Sequence, residues 1–370
     1  MSTASSGGQL RAQDGPLGAS SQTSGASGGR VRAYIQFIAA VLYFFLAQAL
    51  ARHGAQGLAG GQWTPLVEQV MLAFLLVMGY AGMGFWLNRQ ENPIRKQGFP
   101  QRAGAAMEAG TGLAFGWSLA VICVLPMVVI GGIVIYLTMQ PSAWGWLAAD
   151  AAYFAVLALV EEVAFRGYGF QRFEHAVGGM GAAIGFAAYY AIVQSLVRGS
   201  DRASIAVSIA LGLLLSTAYL RTRALWLSWG LNFGWKASRA LLFGLAVSGS
   251  SNHSPVIQGD PMGPFWLTGG GYGLDSSWVA FAVLLVAIPV LFRVTRDLDY
   301  KYNAPVLVPG GVPVDLDAAA KRQHEAAMGP AEQAVPALVQ IAPVVLTPIP
   351  PVRRAGEGSG ADAAKDSAPE

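Results

Sequence analysis

The stretch Val160-Glu161-Glu162-Val163-Ala164-Phe165-Arg166-Gly167 places two adjacent carboxylates near the end of a long apolar segment. By insertion scales, each carboxylate at the centre of a membrane costs about 2.5–3.5 kcal/mol. The sequence stays apolar beyond the pair, at Phe165, Tyr168 and Phe170. Carboxylates inside a membrane normally face a protein interior or a water-filled cavity, so this pair is a candidate functional site.

The composition predicts a membrane protein. The chain has 370 residues, of which 54% are hydrophobic and only 12% charged, and its mean hydropathy is +0.44. Soluble domains contain about 25% charged residues. We therefore expect an all-α, polytopic bundle of about eight transmembrane helices, from eight apolar segments: 34–51, 66–87, 113–137, 144–165, 179–196, 204–220, 225–247 and 278–292.

Positive charge is unevenly distributed between the loops. With the amino terminus inside, the outer loops contain Arg52, Arg198 and Arg202. The inner loops contain Arg30, Arg32, Arg89, Arg95, Lys96, Arg102, Arg166, Arg172, Arg221, Arg223, Arg293 and Arg296. This asymmetry predicts an integral protein of the cell inner membrane with both termini in the cytoplasm. No basic cluster with interleaved aromatic residues indicates nucleic acid, so the expected partner is the lipid bilayer.

The chain divides by composition into four parts. Residues 1–33 are rich in Ser, Gly, Ala and Gln and are predicted to be a disordered cytoplasmic leader. Residues 34–143 contain the first transmembrane helices, and residues 144–300 contain the core with the paired carboxylates. Residues 301–370 form a Pro/Ala-rich tail that is predicted to be disordered and cytoplasmic.

Helical geometry separates the two carboxylates. Glu162 and Arg166 are four residues apart and therefore share a helix face, whereas Glu161 and Glu162 diverge by about 100°. We expect Glu162 to pair with Arg166 and Glu161 to point elsewhere in the bundle. An unpaired carboxylate in a low-dielectric cavity is suited to act as a general base on water.

The motif sequence resembles that of a known family. The string EEVAFRGYGFQRF is similar to the Glu-Glu-x-x-x-Arg motif of the CPBP family, the CAAX-protease and bacteriocin-processing intramembrane endopeptidases. The resemblance continues through TRALWLSWGLNFGWKASRALLFGLAVSG and GPFWLTGGGYGLDSS. It covers roughly residues 144–292 and implies a helical intramembrane core that acts on membrane-associated proteins or peptides.

The resemblance also implies residue roles. Glu161 corresponds to the glutamate that activates water, Glu162 to its neighbour and Arg166 to the motif arginine. The family then has an aromatic-x-x-x-His motif and a His-x-x-x-Asn motif. In this chain Gln194 stands at the first histidine position, and Asn232 and Lys236 stand at the positions of the second histidine and the asparagine.

A histidine count supports this alignment independently. The four histidines are His53, His175, His253 and His324, and none lies inside a predicted apolar segment. Gln and Asn amides are weak ligands for zinc-like ions, and a charged lysine has no lone pair to offer. We therefore expect no cofactor, or a divalent metal such as zinc only if the site is active. We expect Lys236 to pair with Glu161 or Glu162.

Two functions remain open. In the first, the chain is an intramembrane endopeptidase with Glu161 as general base, and Gln194 and Asn232 orient water or an oxyanion. In the second, it is a pseudoenzyme that keeps the fold to bind a peptide, a lipid or a partner helix. The missing imidazoles favour the second function, because losing one member of a catalytic unit costs several orders of magnitude in rate.

Overall fold

The computed structural model describes residues 19–196, 199–250 and 256–296, with side chains from residue 28 onward. All described residues belong to one compact unit. The predicted tail, His253 and His324 lie outside the described residues. Helix α1 (Ala19–Leu58) begins inside the predicted leader 1–33, so part of that leader is helical. Adding residues to the end of an existing helix costs less free energy than starting a new helix.

The structure is mostly helical and is a polytopic membrane bundle. Each predicted apolar segment overlaps a helix, and three shorter helices lie between the segments. The helices are α1 (Ala19–Leu58), α2 (Thr64–Asn88), α3 (Pro93–Lys96), α4 (Ala105–Val129), α5 (Pro141–Arg166), α6 (Tyr168–Val177), α7 (Gly179–Ser195), α8 (Arg202–Thr222), α9 (Leu225–Ala237), α10 (Phe265–Thr268) and α11 (Trp278–Val294).

Length and composition identify membrane-crossing candidates within the described ranges. Five helical stretches are long and apolar enough: Gly28–Leu58, Gly61–Asn88, Ala105–Val129, Pro141–Val177 and Arg202–Thr222. Helix α11 is a shorter apolar helix. Helix α7 has 17 residues and α9 has 13, whereas a span needs about 20. A bundle of eight spans therefore stays a prediction.

Two predicted segments end earlier than expected. The prediction of helix over residues 113–137 is wrong beyond Val129. Helix α4 ends there because Gly131 adopts a left-handed conformation (φ 73°). The β-branched and aromatic residues that follow form strand β1 (Ile133–Leu137), which pairs antiparallel with β2 (Ile257–Pro261). The helix of segment 225–247 continues past Ala237 as a π-helical turn, Ser238–Leu242, so this prediction is wrong only beyond Leu242.

Glycines bring α4 and α9 into backbone contact. A Cβ added at Gly112 would lie 2.2 Å from the Leu227 carbonyl oxygen, and one at Gly230 would lie 2.1 Å from the Ala109 carbonyl oxygen. Gly116 and Gly234 make the same kind of close approach one turn further along. Because small residues let helix backbones approach closely in membranes, these four glycines fix the depth and rotation of α9, which carries two predicted site residues.

Candidate functional site

The carboxylate pair lies at the carboxyl end of α5, where the helix is buried on all sides. Residues 162–170 are buried without interruption. The helix ends at Gly167, where an added Cβ would lie 2.3 Å from the Val163 carbonyl oxygen. The glycine after Arg166 therefore lets the chain turn directly into α6 and keeps the motif inside the bundle.

Glu162 forms the structural pair that its spacing predicts. Its Oε1 accepts a hydrogen bond from Arg166 Nη1 at 3.3 Å, and both side chains are fully buried. Arg166 also donates from Nη2 to the Gly212 carbonyl oxygen of α8 at 3.2 Å. Its guanidinium lies 5.5 Å from the centre of the Tyr190 ring in α7. Arg166 thus joins three helices and compensates the charge of Glu162.

Glu161 points in a different direction and meets α9. Its Oε1 forms an ion pair with Lys236 Nζ. Its Oε2 accepts hydrogen bonds from Asn232 Nδ2 at 2.9 Å and from Tyr190 Oη at 3.4 Å. Lys236 is 3% exposed and Glu161 12% exposed. The predicted pairing of Lys236 with one of the two glutamates is therefore present, and Glu161 is the partner.

Asn232 links the two carboxylates. Its Nδ2 also donates to Glu162 Oε1 at 3.1 Å, so one amide nitrogen bridges both glutamates. Sequence reasoning does not predict this bridge, because the sequence does not determine how α9 is rotated against α5. Asn232 Oδ1 and Glu162 Oε2 are buried and have no hydrogen-bond partner among the described residues.

Gln194 joins the cluster through Tyr190. Its Nε2 donates to Tyr190 Oη at 3.0 Å, and no contact joins it directly to Glu161 within the described structure. The two residues are one turn apart on α7, which is the spacing of the aromatic-x-x-x-His motif. Tyr190 therefore has a larger part in the site than its sequence position suggests, because its hydroxyl connects Gln194 to the carboxylate.

A second buried pair follows Lys236 along the chain. Arg239, in the π-helical turn, donates from Nη1 to Asp275 Oδ1 at 2.7 Å, and its guanidinium lies 4.4 Å from the centre of the Trp235 ring. Asp275 Oδ2 accepts from Ser248 N at 2.9 Å and from Ser248 Oγ at 3.0 Å. Burial by itself raises the pKa of Asp275, but Arg239 and the Ser248 N–H outweigh burial and hold that pKa below its usual value.

Sequence analysis names neither Asp275 nor Arg239 as a site residue. The signal that could have found Arg239 is its position three residues after Lys236 in the same apolar segment. His175 lies in the last turn of α6, which carries none of the predicted site residues. That helix is amphipathic and continues the motif segment without a loop.

The donor set around Glu161 does not fit a zinc-like ion. Such ions are held by imidazole, thiolate and carboxylate groups, whereas Lys236 presents an ammonium and Asn232 presents an N–H donor to the carboxylate. Within the described ranges, no group of three or more His, Cys, Asp or Glu side chains is placed to hold a metal. The arrangement is an ion pair within a hydrogen-bonded polar cluster.

Comparison with known proteins identifies this part of the chain. The geometry defines a helical membrane core with a paired-glutamate site. Residues 142–238 match the family described as type II CAAX prenyl endopeptidase Rce1-like. This segment is therefore similar to that family, and the resemblance to the CPBP family is confirmed for it. In the comparisons with curated proteins and with solved structures, nothing matches the chain significantly.

The matched segment contains all six predicted site residues, from Glu161 to Lys236. The match supports an integral membrane protein with a segment similar to that of intramembrane endopeptidases that act on peptides. It does not distinguish an active member from an inactive one, and that distinction depends on the residues around Glu161.

Proposed function

We propose that this chain is a CAAX-protease-type protein of the inner membrane, with both termini cytoplasmic, in which peptide hydrolysis is reduced or lost. The ion pair between Lys236 and Glu161 carries this proposal. A general base needs a free lone pair directed at the water that it activates. Here one oxygen of Glu161 faces the lysine ammonium, and the other accepts two hydrogen bonds.

The ion pair also removes the electrostatic reason for a metal. In a bundle core, two carboxylates need two positive charges for compensation. Arg166 supplies one to Glu162 and Lys236 supplies the other to Glu161. The lysine therefore substitutes for a cation, and the polar cluster holds α5, α7 and α9 together around a surface that binds a peptide, a lipid or a partner helix.

One observation favours the alternative, an active intramembrane endopeptidase with Glu161 as general base. Glu161 is more exposed than Glu162, and the orphaned Asn232 Oδ1 and Glu162 Oε2 are polar atoms that a water molecule could satisfy. In this alternative, Lys236 would turn away when substrate enters, and Gln194 and Asn232 would orient the reacting groups.

Metal content of detergent-purified full-length protein distinguishes the two functions. Elemental analysis would compare the wild type, Glu161→Ala and a triple variant with Gln194→His, Asn232→His and Lys236→Asn. We expect no stoichiometric divalent metal in the wild type and about one ion per chain in the triple variant. The matched control is the double variant Gln194→His, Asn232→His, which keeps the lysine and should bind no metal.

The proposal has a clear contrary result. Stoichiometric zinc or another divalent ion in the wild type, lost in Glu161→Ala, would show a working metal site and restore the metallopeptidase. Metal binding by the double variant would show that Lys236 does not occupy the position of a cation.

A further inference from the structure

A cleft lies outside the polar cluster, between the start of α1 and the end of α2. It has two adjoining parts that share Arg32 and Leu87. One part, of about 460 Å³, is lined mainly by apolar residues that include Val31, Ile35 and Ala39. The other, of about 530 Å³, is lined by Trp86, Asn88 and Arg89 as well. An apolar channel thus opens beside a polar, cationic chamber.

Arginines surround the polar chamber. Arg32 donates to the Leu87 carbonyl oxygen near the end of α2. Arg172, from α6, donates from Nη1 to Asn88 Oδ1 at 3.3 Å, and its guanidinium lies 5.4 Å from the centre of the Tyr168 ring. Arg89 is exposed at the C-cap of α2, in a left-handed conformation (φ 51°) that ends the helix there. Arg32 and Arg89 therefore line the cleft, and Arg172 lies behind its lining residue Asn88.

These charges are not compensated within the described structure. No carboxylate oxygen there lies within ion-pair distance of Arg32, Arg89 or Arg172, whereas Arg102, Arg166, Arg223 and Arg239 each have an acidic partner. An arginine without an acidic partner favours an anionic oxygen from outside the chain, and Arg32 and Arg89 line the cleft where such an oxygen can approach.

We propose that this cleft binds an anionic phospholipid, with the phosphate against Arg32 and Arg89, the positive charge of Arg172 behind Asn88, and an acyl chain along Val31 and Ile35. The apolar lining distinguishes a lipid from a free phosphate, because an inorganic ion would leave that part of the cleft unused. The exposed indole of Trp86 lines the same part of the cleft as Arg89. Amphipathic aromatic rings favour the headgroup zone of a bilayer, which is where a bound phosphate would lie. This proposal is independent of whether Glu161 is catalytic.

Lipid retention by the full-length protein tests the site. Protein in nanodiscs of mixed phosphatidylglycerol and phosphatidylcholine would be released into the gas phase, and bound lipid would be identified by native mass spectrometry. We expect selective retention of phosphatidylglycerol by the wild type. An arginine that donates a hydrogen bond directly to a phosphate contributes about a tenfold preference, so Arg89→Gln should lower selectivity about tenfold and Arg89→Gln with Arg172→Gln further.

The matched control is Arg293→Gln, at an exposed arginine on α11 for which no acidic partner is present in the described structure. It should leave the selectivity unchanged. An equal loss in Arg293→Gln, or equal retention of both lipids by the wild type, would overturn the proposal. Competition by inorganic phosphate at millimolar concentration, with no dependence on acyl chains, would show a free-phosphate site and would overturn the lipid assignment. The single variant Arg89→Gln lies on the surface, so its result does not depend on the packing of Arg172.

Discussion

Two buried ion pairs, Glu161–Lys236 and Asp275–Arg239, lie one turn apart along α9 and its π-helical continuation. The first joins side chains of different helices and contains no backbone donor. The second is anchored by the backbone N–H of Ser248 and by the Trp235 ring. The comparison indicates that Asp275–Arg239 is built into the fold, whereas the environment of Glu161 depends on individual side chains that single substitutions can change.

The basic residues of the two pairs also differ in how many atoms hold them in place. The planar guanidinium of Arg239 donates to Asp275 Oδ1 through Nη1 and to the Trp235 carbonyl oxygen through Nε. Lys236 has one carboxylate partner, and its ammonium is a point charge on a flexible stem. An arginine held at several atoms stabilises a loop, whereas a lysine held at one atom can be displaced. This difference can be tested by breaking each pair.

The largest effect is expected for Arg239→Met. Removing the guanidinium leaves Asp275 as an uncompensated buried charge, and breaking a buried pair in this way costs about 3–5 kcal/mol. We expect a loss of that size in the free energy of unfolding, measured in detergent by titration with a denaturing surfactant. Adding Asp275→Asn should recover most of the loss. A change below about 1 kcal/mol for Arg239→Met would show that the pair does not hold the loop that contains Asp275.

A smaller effect is expected for Lys236→Met. Glu161 keeps its hydrogen bonds from Asn232 and Tyr190 and is partly exposed, so the loss should be about 2 kcal/mol. The double variant Lys236→Met, Glu161→Gln should return close to the wild type, because replacing both members of a buried pair is often nearly neutral. Strict additivity of the two single variants in this double-mutant cycle would show that the residues do not interact.

The smallest effect is a pH dependence at Asp275. Its pKa is lowered in the folded protein from the ordinary value of 3.8, so the unfolded chain takes up the proton first as pH falls. The stability that this carboxylate contributes is therefore present above pH 3.8 and is lost as pH falls through the folded pKa. The difference in thermal midpoint between the wild type and Asp275→Asn should be constant near neutral pH and shrink below pH 3.8. A difference independent of pH would contradict the assignment.

Much of the site could be predicted because it depends on local geometry. The spacing of Glu162 and Arg166 sets their pairing, since residues four apart on a helix are neighbours. The cost of isolated charges in a membrane explains why Lys236 has an acidic partner. Neither argument could choose Glu161 as that partner, because the choice depends on the rotation of α9 against α5.

Other features could not be read from the pattern of apolar residues. An apolar run does not distinguish a helix that continues from one that ends, so the pattern predicts membrane helix over the strand Ile133–Leu137 and over residues 243–247, beyond the π-helical turn Ser238–Leu242. Sequence reasoning also misses Arg239, because its partner Asp275 is distant in the chain. The bridge from Asn232 to both glutamates likewise requires the close glycine contact of α4 with α9.

The sequence alone determined that the chain is a helical membrane protein with a CAAX-protease-type motif and no imidazole in its predicted apolar segments. Those conclusions depend on composition, on spacing within one helix and on residue identity, which do not require long-range contacts. The tertiary structure decided which charges meet: Glu161 with Lys236, Asp275 with Arg239, and, within the described part of the chain, three arginines with no acidic partner at the cleft between α1 and α2. The physical reason is that helix rotation and depth are set by packing between helices, which no periodicity within a single helix encodes.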